Sequence, residues 1–171
     1  DISSIAIDCY GRKWIGYSSS DLDMFFPDSD EPVHFPAANI AGDMIGDIET
    51  GPTGDVWIGA LNMDWYNSGY LIKGYPTPYI WEGYYSENNP SLSYCMNAIA
   101  VDDGGNIWMA GESNEYNGDT VINRLDEDME TWDSFSLPWD DRWVEVNKIV
   151  IDSKEQVWFA TTNGIAMLAP D

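Results

Sequence analysis

The chain has 171 residues, 44% hydrophobic and 14% aromatic, which is apolar mass enough for a sizeable core and excludes disorder despite the charge. Thirty Asp and Glu against seven Lys and Arg give a net charge of −23, which repels nucleic acid and anionic membrane surfaces and removes both as partners. No apolar run approaches the roughly 18 residues of a helical membrane span.

In chain order, Ile5-Ala6-Ile7-Asp8 is a short run rich in β-branched residues, followed by Gly11-Arg12-Lys13-Trp14-Ile15-Gly16. Two apolar runs joined by an Asp/Gly turn predict a β-hairpin. Asp23-Met24-Phe25-Phe26 and Pro32-Val33-His34-Phe35 are two weaker strand candidates behind it. The pattern restarts at Ile48-Glu49-Thr50-Gly51 and Gly54-Asp55-Val56-Trp57-Ile58-Gly59, with outer candidates at Gly69-Tyr70-Leu71-Ile72 and Tyr79-Ile80-Trp81-Glu82-Gly83. It restarts at Ile99-Ala100-Val101-Asp102 and Gly105-Asn106-Ile107-Trp108-Met109-Ala110, with outer candidates near Val121 and Trp132. A fourth copy reads Ile149-Val150-Ile151-Asp152 and Glu155-Gln156-Val157-Trp158-Phe159-Ala160, followed by one outer candidate, Gly164 to Leu168. No segment carries a competing helical period.

The four Trp recur 43, 51 and 50 residues apart, a spacing that marks an array of equivalent modules. Four antiparallel strands per module, the outer pair more polar, predict an all-β chain built as a β-propeller. The blades are expected at about 1–38, 43–88, 95–138 and, incomplete, 145–171, with each first strand innermost at a central channel. Successive apolar residues in both inner strands predict sheets covered on both faces. Each Trp is expected to fill the space between sheets. The small residue two places on (Gly16, Gly59, Ala110, Ala160) is expected to admit a neighbouring sheet closely. The fourth turn, Ser153-Lys154-Glu155-Gln156, has no Gly and is expected to be looser or of another type. The unfinished fourth blade leaves two readings open: a piece of a larger ring, or irregular closure on itself or on a partner chain. The chain opens on Asp1 rather than Met and is read as a processed or trimmed product.

The motif Ile-x-x-Asp-x-x-Gly-x-x-Trp-(Ile/Phe)-(Gly/Ala), with Gly164-Ile165 following the fourth copy, resembles the two-component regulator propeller repeat across nearly the whole chain. It departs at Gly51 for Asp, at Glu155 for Gly, and in long insertions after the second and third Trp. The resemblance implies an extracellular or periplasmic sensor ectodomain or a secreted recognition module, often for saccharides. It carries over a fold and no binding residue. A weaker similarity, Gly51-Pro52-Thr53-Gly54-Asp55-Val56-Trp57, is to streptogramin-lyase-type propellers, which use a His-based metal site. The single His34 falls on an outer hairpin near the rim, the wrong place for a catalyst at the channel mouth.

Binding residues are expected on the loops joining second to third strands and those joining blades. The candidates are Asp64, Trp65, Tyr66 and Asn67; Glu115, Tyr116 and Asn117; and Trp139, Asp140, Arg142 and Trp143. Their aromatic rings suit the apolar face of a sugar, and their carboxylates and amides suit its hydroxyls. Catalysis finds little support: there is no Ser/His/Asp order and no phosphate loop, and with 30 acids some close carboxylate pairs are inevitable. No cofactor is expected. Structural Ca²⁺ is an open reading of Asp28-Ser29-Asp30-Glu31 and Asp126-Glu127-Asp128, while Asp8, Asp102 and Asp152 are expected to bond their own turns. Cys9 and Cys95 fall at opposite ends of strands and are expected to be free thiols. Three functions are therefore weighed: a ligand-binding recognition propeller, an assembly unit completed by a partner strand, and, third, a lyase or glycosidase.

Overall fold

The computed structural model describes residues 1–36, 43–61, 69–75, 80–85, 96–111, 121–138 and 144–169. Among these the chain is all-β. Blade 1 holds β1 (Ile2–Ile7), β2 (Lys13–Tyr17), β3 (Leu22–Phe25) and β4 (Pro32–Phe35). Blade 2 holds β5 (Met44–Thr50), β6 (Val56–Leu61), β7 (Gly69–Tyr75) and β8 (Ile80–Tyr85). Blade 3 holds β9 (Ala98–Val101), β10 (Ile107–Ala110), β11 (Val121–Leu125) and β12 (Trp132–Ser136). Blade 4 holds β13 (Val146–Ile151), β14 (Val157–Thr161) and β15 (Gly164–Leu168), with no fourth strand among the described residues. Every sheet is an antiparallel meander in sequence order. The first strands β1, β5, β9 and β13 pack successively against one another, which makes them the innermost strands of a four-blade propeller.

Cross-strand pairs share a face of an antiparallel sheet, so register sorts each blade into two faces. In blade 1, Ala6, Trp14 and Met24 pair across three strands on the trailing face, toward blade 2. Ile5 pairs with Ile15 on the opposite, leading face. A bulge in the first strands of blades 1, 2 and 4 puts the residue three before the motif Ile on the leading face too.

Three separate cores follow, one per interface. Trp14, Leu22, Met24 and Phe35 meet Ile45, Ile48, Ile58 and Ile72 between blades 1 and 2. Trp57 and Leu71 meet Met96, Ile99, Ile107 and Met109 between blades 2 and 3. Ala98, Trp108, Ala110 and Ile122 meet Val146, Ile149, Val157 and Phe159 between blades 3 and 4. After Trp14 and Trp57 the small residue is what lets the sheets close: a Cβ on Gly16 would stand 2.8 Å from both Ile45 and Ile48, and one on Gly59 would stand 2.9 Å from Ile99, whereas Ala160 is exposed and meets no neighbouring sheet among the described residues.

Two expectations are corrected. Continuous apolar strands are covered on both faces only inside the array: β6 and β10 are buried nearly throughout, but in β2 and β14 burial alternates along the strand. Blades 1 and 4 each have one neighbour, so one face of each stays in solvent. The fourth turn is not looser. Asp152 and Glu155 make the same two turn hydrogen bonds, to Gln156 and Asp152, that Asp102 and Gly105 make to Asn106 and Asp102. Glu155 achieves this at φ +61°, where Gly11, Gly54 and Gly105 stand at +76°, +84° and +88°.

Candidate functional site

One bond recurs in every blade. The indole N–H of Trp14 donates to Asp8 at 3.0 Å, that of Trp108 to Asp102 at 3.2 Å, and that of Trp158 to Asp152 at 3.0 Å. The other oxygen of each Asp accepts turn amides, from Tyr10 and Arg12 in the first blade. Each carboxylate thus ties the hairpin turn to the Trp six residues on, a role beyond the turn bonding expected from sequence. Blade 2 has Gly51 at that place, and Asp55 substitutes, accepting from Trp57 at 2.9 Å. A Cβ at position 51 would lie 2.5 Å from the Asp55 carboxylate, so Gly51 is what leaves room for the substitute.

Cations cover three of these rings. The Arg12 guanidinium lies over Trp14 and Tyr10, the Lys73 ammonium 4.8 Å over Trp57, and the Arg124 guanidinium 5.5 Å over Trp108. Burial pushes the Asp8 carboxyl up, but hydrogen bonds from Trp14, Arg12 and Tyr10 outweigh it and hold it below its usual range. The indole bond of Trp158 likewise lowers Asp152. These oxygens are already engaged and offer little to a metal.

Between blades 3 and 4, on this turn side, a groove of about 450 Å³ opens. Trp108 and Phe135 stack beside it at 5.4 Å. Val157 and Leu168 supply apolar wall, and Arg124, Asp102, Asn106 and Glu155 supply polar groups. Arg124 is paired with Asp133 at 2.6 Å and Asp126 at 2.9 Å, so among the described lining residues no positive charge is free for an anion. Its chemistry suits a neutral, hydroxyl-bearing molecule: the rings offer an apolar face and Glu155 a carboxylate, while Asp102 is engaged by its turn and the Asn106 amide already donates to Asp102 and accepts from the Glu127 N–H.

At the axis, Asp47 links all four inner strands. It accepts from Ser4 Oγ at 2.9 Å, from the Ile99 amide at 3.1 Å and from Lys148 Nζ at 2.9 Å. Glu49 lies 3.4 Å from the same ammonium. Burial pushes the Glu49 carboxyl up, only partly offset by Lys148. Burial opposes the charge on Lys148, yet Asp47 and Glu49 together raise it above its ordinary value. This cluster is satisfied within itself and acts as a tie across blades.

The loop residues expected to bind ligand, Asp64, Trp65, Tyr66, Asn67, Glu115, Tyr116, Asn117, Trp139, Asp140, Arg142 and Trp143, lie outside the described residues, as does Cys95. Cys9 is an exposed free thiol in the first turn. Among the described residues no group of three or more His, Cys, Asp or Glu is placed to hold a metal ion. The acidic run at Asp126 to Asp128 serves its own hairpin instead: Asp128 accepts from the amides of Glu130 and Thr131 and from the Thr131 hydroxyl. His34 sits on the outermost strand β4, paired with Asp23 at 2.7 Å. The groove was not legible because Arg124, Phe135 and Glu155 are far apart in sequence; the one local signal was Glu155 in a Gly position.

No family model matches the chain, and no curated protein matches it by sequence. Solved structures do. The extracellular domain of the hybrid two component system BT3049 from B. thetaiotaomicron superposes with a TM-score of 0.74 at 20% identity, over 99% of this chain and 22% of that one. The extracellular domain of the hybrid two component system BT4673 from the same organism gives 0.73 at 16% identity, over 100% and 21%. The β-propeller domain of Myceliophteria thermophila Cps50 (Swd1) gives 0.69 at 11% identity, over 99% and 54%. The chain therefore spans about a fifth of the length of the two bacterial domains, and what it shares with all three is the propeller fold.

Proposed function

We propose that this chain is a recognition propeller of the extracellular or periplasmic sensor kind, taking a small neutral, hydroxyl-rich ligand such as a saccharide. The observation that carries the reading is the groove between blades 3 and 4, where a stacked Trp108–Phe135 pair stands beside Asp102, Asn106 and Glu155. The likeness to two extracellular domains of two-component systems supports the setting, and the net charge of −23 suits a soluble domain outside the cytoplasm. The sequence also offers Trp65, Tyr66, Tyr116, Trp139 and Trp143, which lie outside the described residues, as candidates for the same ligand class.

The test is titration calorimetry of the 171-residue chain against a panel of neutral mono- and oligosaccharides. Binding that weakens at least tenfold in Glu155→Ala and Asn106→Ala places the ligand in the groove. Binding that survives those changes but weakens in Trp65→Ala or Trp139→Ala moves it to the loops. No binding across the panel at millimolar ligand overturns the saccharide reading.

A second reading, assembly by strand addition, is favoured by one observation. Among the described residues β15 ends blade 4 in third position with no β-partner on its outer edge, an edge to which a strand from another chain could add.

A further inference from the structure

The interface between blades 2 and 3 holds a cation without a good acceptor. Lys73, on β7, is 9% exposed, so its ammonium has little water to bond and needs partners from the protein. Register sets it opposite Trp57, and the ammonium stands over the Trp57 ring and, at 5.1 Å, over the Tyr75 ring. Its one ion pair among the described residues, to Asp55, is long at 3.6 Å. That carboxylate oxygen already accepts the Trp57 indole N–H. Ring faces attract a cation but do not replace the several oxygens that an ammonium can bond. The cations over the other two rings are better served: Arg12 bonds the Gly54 carbonyl at 3.0 Å, and Arg124 bonds Asp133 at 2.6 Å.

The remaining contact of Lys73 crosses to blade 3. Its Nζ donates to Met129 Sδ at 3.9 Å, and a thioether is a weak acceptor. Met129 lies in the turn between β11 and β12 at φ +59°, a left-handed position that an L-residue occupies at a cost. The turn holds it there. The Met129 amide donates to the Asp126 carbonyl at 2.9 Å, and Asp128 accepts the amides of Glu130 and Thr131. A costly backbone position that is kept points to a use for its side chain. Met129 is half-buried, at the margin of the core that holds Trp57 and Leu125. Met24, Met96 and Met109 are fully buried, so a solvent-borne oxidant meets the Met129 sulfur before theirs.

We propose that Met129 is a site of sulfoxide formation by hydroperoxides, and that the oxygen it gains becomes the acceptor for Lys73. The thioether sulfur attacks one oxygen of the peroxide and the O–O bond breaks. The proton on the attacked oxygen passes to the leaving oxygen, which departs as water or an alcohol. The sulfur is oxidised and the peroxide reduced, each by one electron pair, and a sulfoxide reductase reverses the change. The sulfoxide oxygen, turned toward Lys73, comes within hydrogen-bond length of the ammonium and makes a charge-assisted bond. Oxidation of a core methionine ordinarily disrupts packing. Here it completes the shell of a nearly buried cation and ties blade 2 to blade 3 more firmly. The site is separate from the groove between blades 3 and 4 and does not depend on what that groove binds.

The experiment uses the 171-residue chain carrying Met44→Leu, Met63→Leu and Met167→Leu, which leaves Met129 and the fully buried Met24, Met96 and Met109. It is treated with millimolar hydrogen peroxide, mapped by peptide mass and melted, with and without Lys73→Met. The expected result is one oxygen on Met129, none on the buried methionines, and a midpoint about 2–4 °C higher after oxidation. With Lys73→Met the same oxidation lowers the midpoint. Met129→Gln, whose amide oxygen stands in for that of the sulfoxide, reproduces the rise without peroxide, and it tests the bond even if Lys73→Met does not fold. The proposal is overturned by a Met129 that stays unmodified while the urea-unfolded chain is oxidised. It is equally overturned by a midpoint that rises in neither the oxidised chain nor Met129→Gln, or by a rise that persists without Lys73.

Discussion

The Asp55 carboxylate holds the Trp57 indole N–H at 2.9 Å from two residues away, a bond that Asp8 makes to Trp14 from six residues away. The same hydrogen bond is reached by two routes, and position 51 decides which. Replacing Asp55 with Ala should cost about 1–2 kcal/mol, the loss of a charge-assisted bond. Gly51→Asp alone should also destabilise, since its Cβ meets the Asp55 carboxylate. Together the two changes rebuild the arrangement of blade 1, so the double variant should be more stable than either single one. Urea unfolding of the four proteins measures the coupling; simple additivity would refute the exchange of roles.

Glu155 occupies a left-handed backbone position that Gly fills in the other three blades. Glu155→Gly should stabilise the chain by about 1 kcal/mol, the cost of holding an L-residue there. The measurement is the midpoint of chemical denaturation. If the groove binds ligand, the same variant should lose affinity while gaining stability, an opposition that a purely structural role would not produce.

Asp47 should matter far more than its cation. Asp47→Ala leaves the Ile99 amide and the Ser4 hydroxyl without this acceptor and Lys148 with Glu49 alone, and should cost about 2–3 kcal/mol. Lys148 is half in solvent, and Lys148→Met should cost under about 1 kcal/mol. Thermal unfolding of the pair decides it, and equal losses would mean that the ion pair rather than the backbone amide is what Asp47 serves.

The turn carboxylates set the acid limit. Asp8 and Asp152 are held below their usual range in the folded chain. Their contribution is complete above the unfolded value, near pH 4, and is lost as pH falls through the depressed folded values. Glu49 has the opposite sign: its folded carboxyl titrates high, so it costs stability as pH rises from about 4.5 through that value. Melting curves from pH 2.5 to 7 should fall steeply below pH 4. Asp8→Asn should flatten that limb, and Glu49→Gln should gain on the wild type as pH rises above 5.

The propeller was legible because its signal repeats. Four Trp in register, each followed by a small residue, required sheets stacked at close approach, and Gly16 against Ile45 and Ile48 is that contact. What one repeat could not reveal was the difference between a middle blade and an end blade. Ile5 and Ile48 read alike in sequence, and only the neighbour's presence separates buried from exposed. The Asp–Trp bond was missed because a turn Asp already has a sufficient local explanation. The exchange of Asp8 for Asp55 looked like a defect at Gly51 until the space around that glycine was known. The groove joins Arg124, Phe135 and Glu155 across two sheets, a juxtaposition no local pattern encodes.

Because each blade boundary has its own core, unfolding of this chain should be graded rather than all-or-none. Blades 2 and 3 each bury two faces and blades 1 and 4 only one, so amide exchange should be fastest in the end blades and slowest in β5, β6 and β10. The reach of Lys148 to Asp47 skips a blade, and it delays the fraying of blade 4 until the axis itself opens.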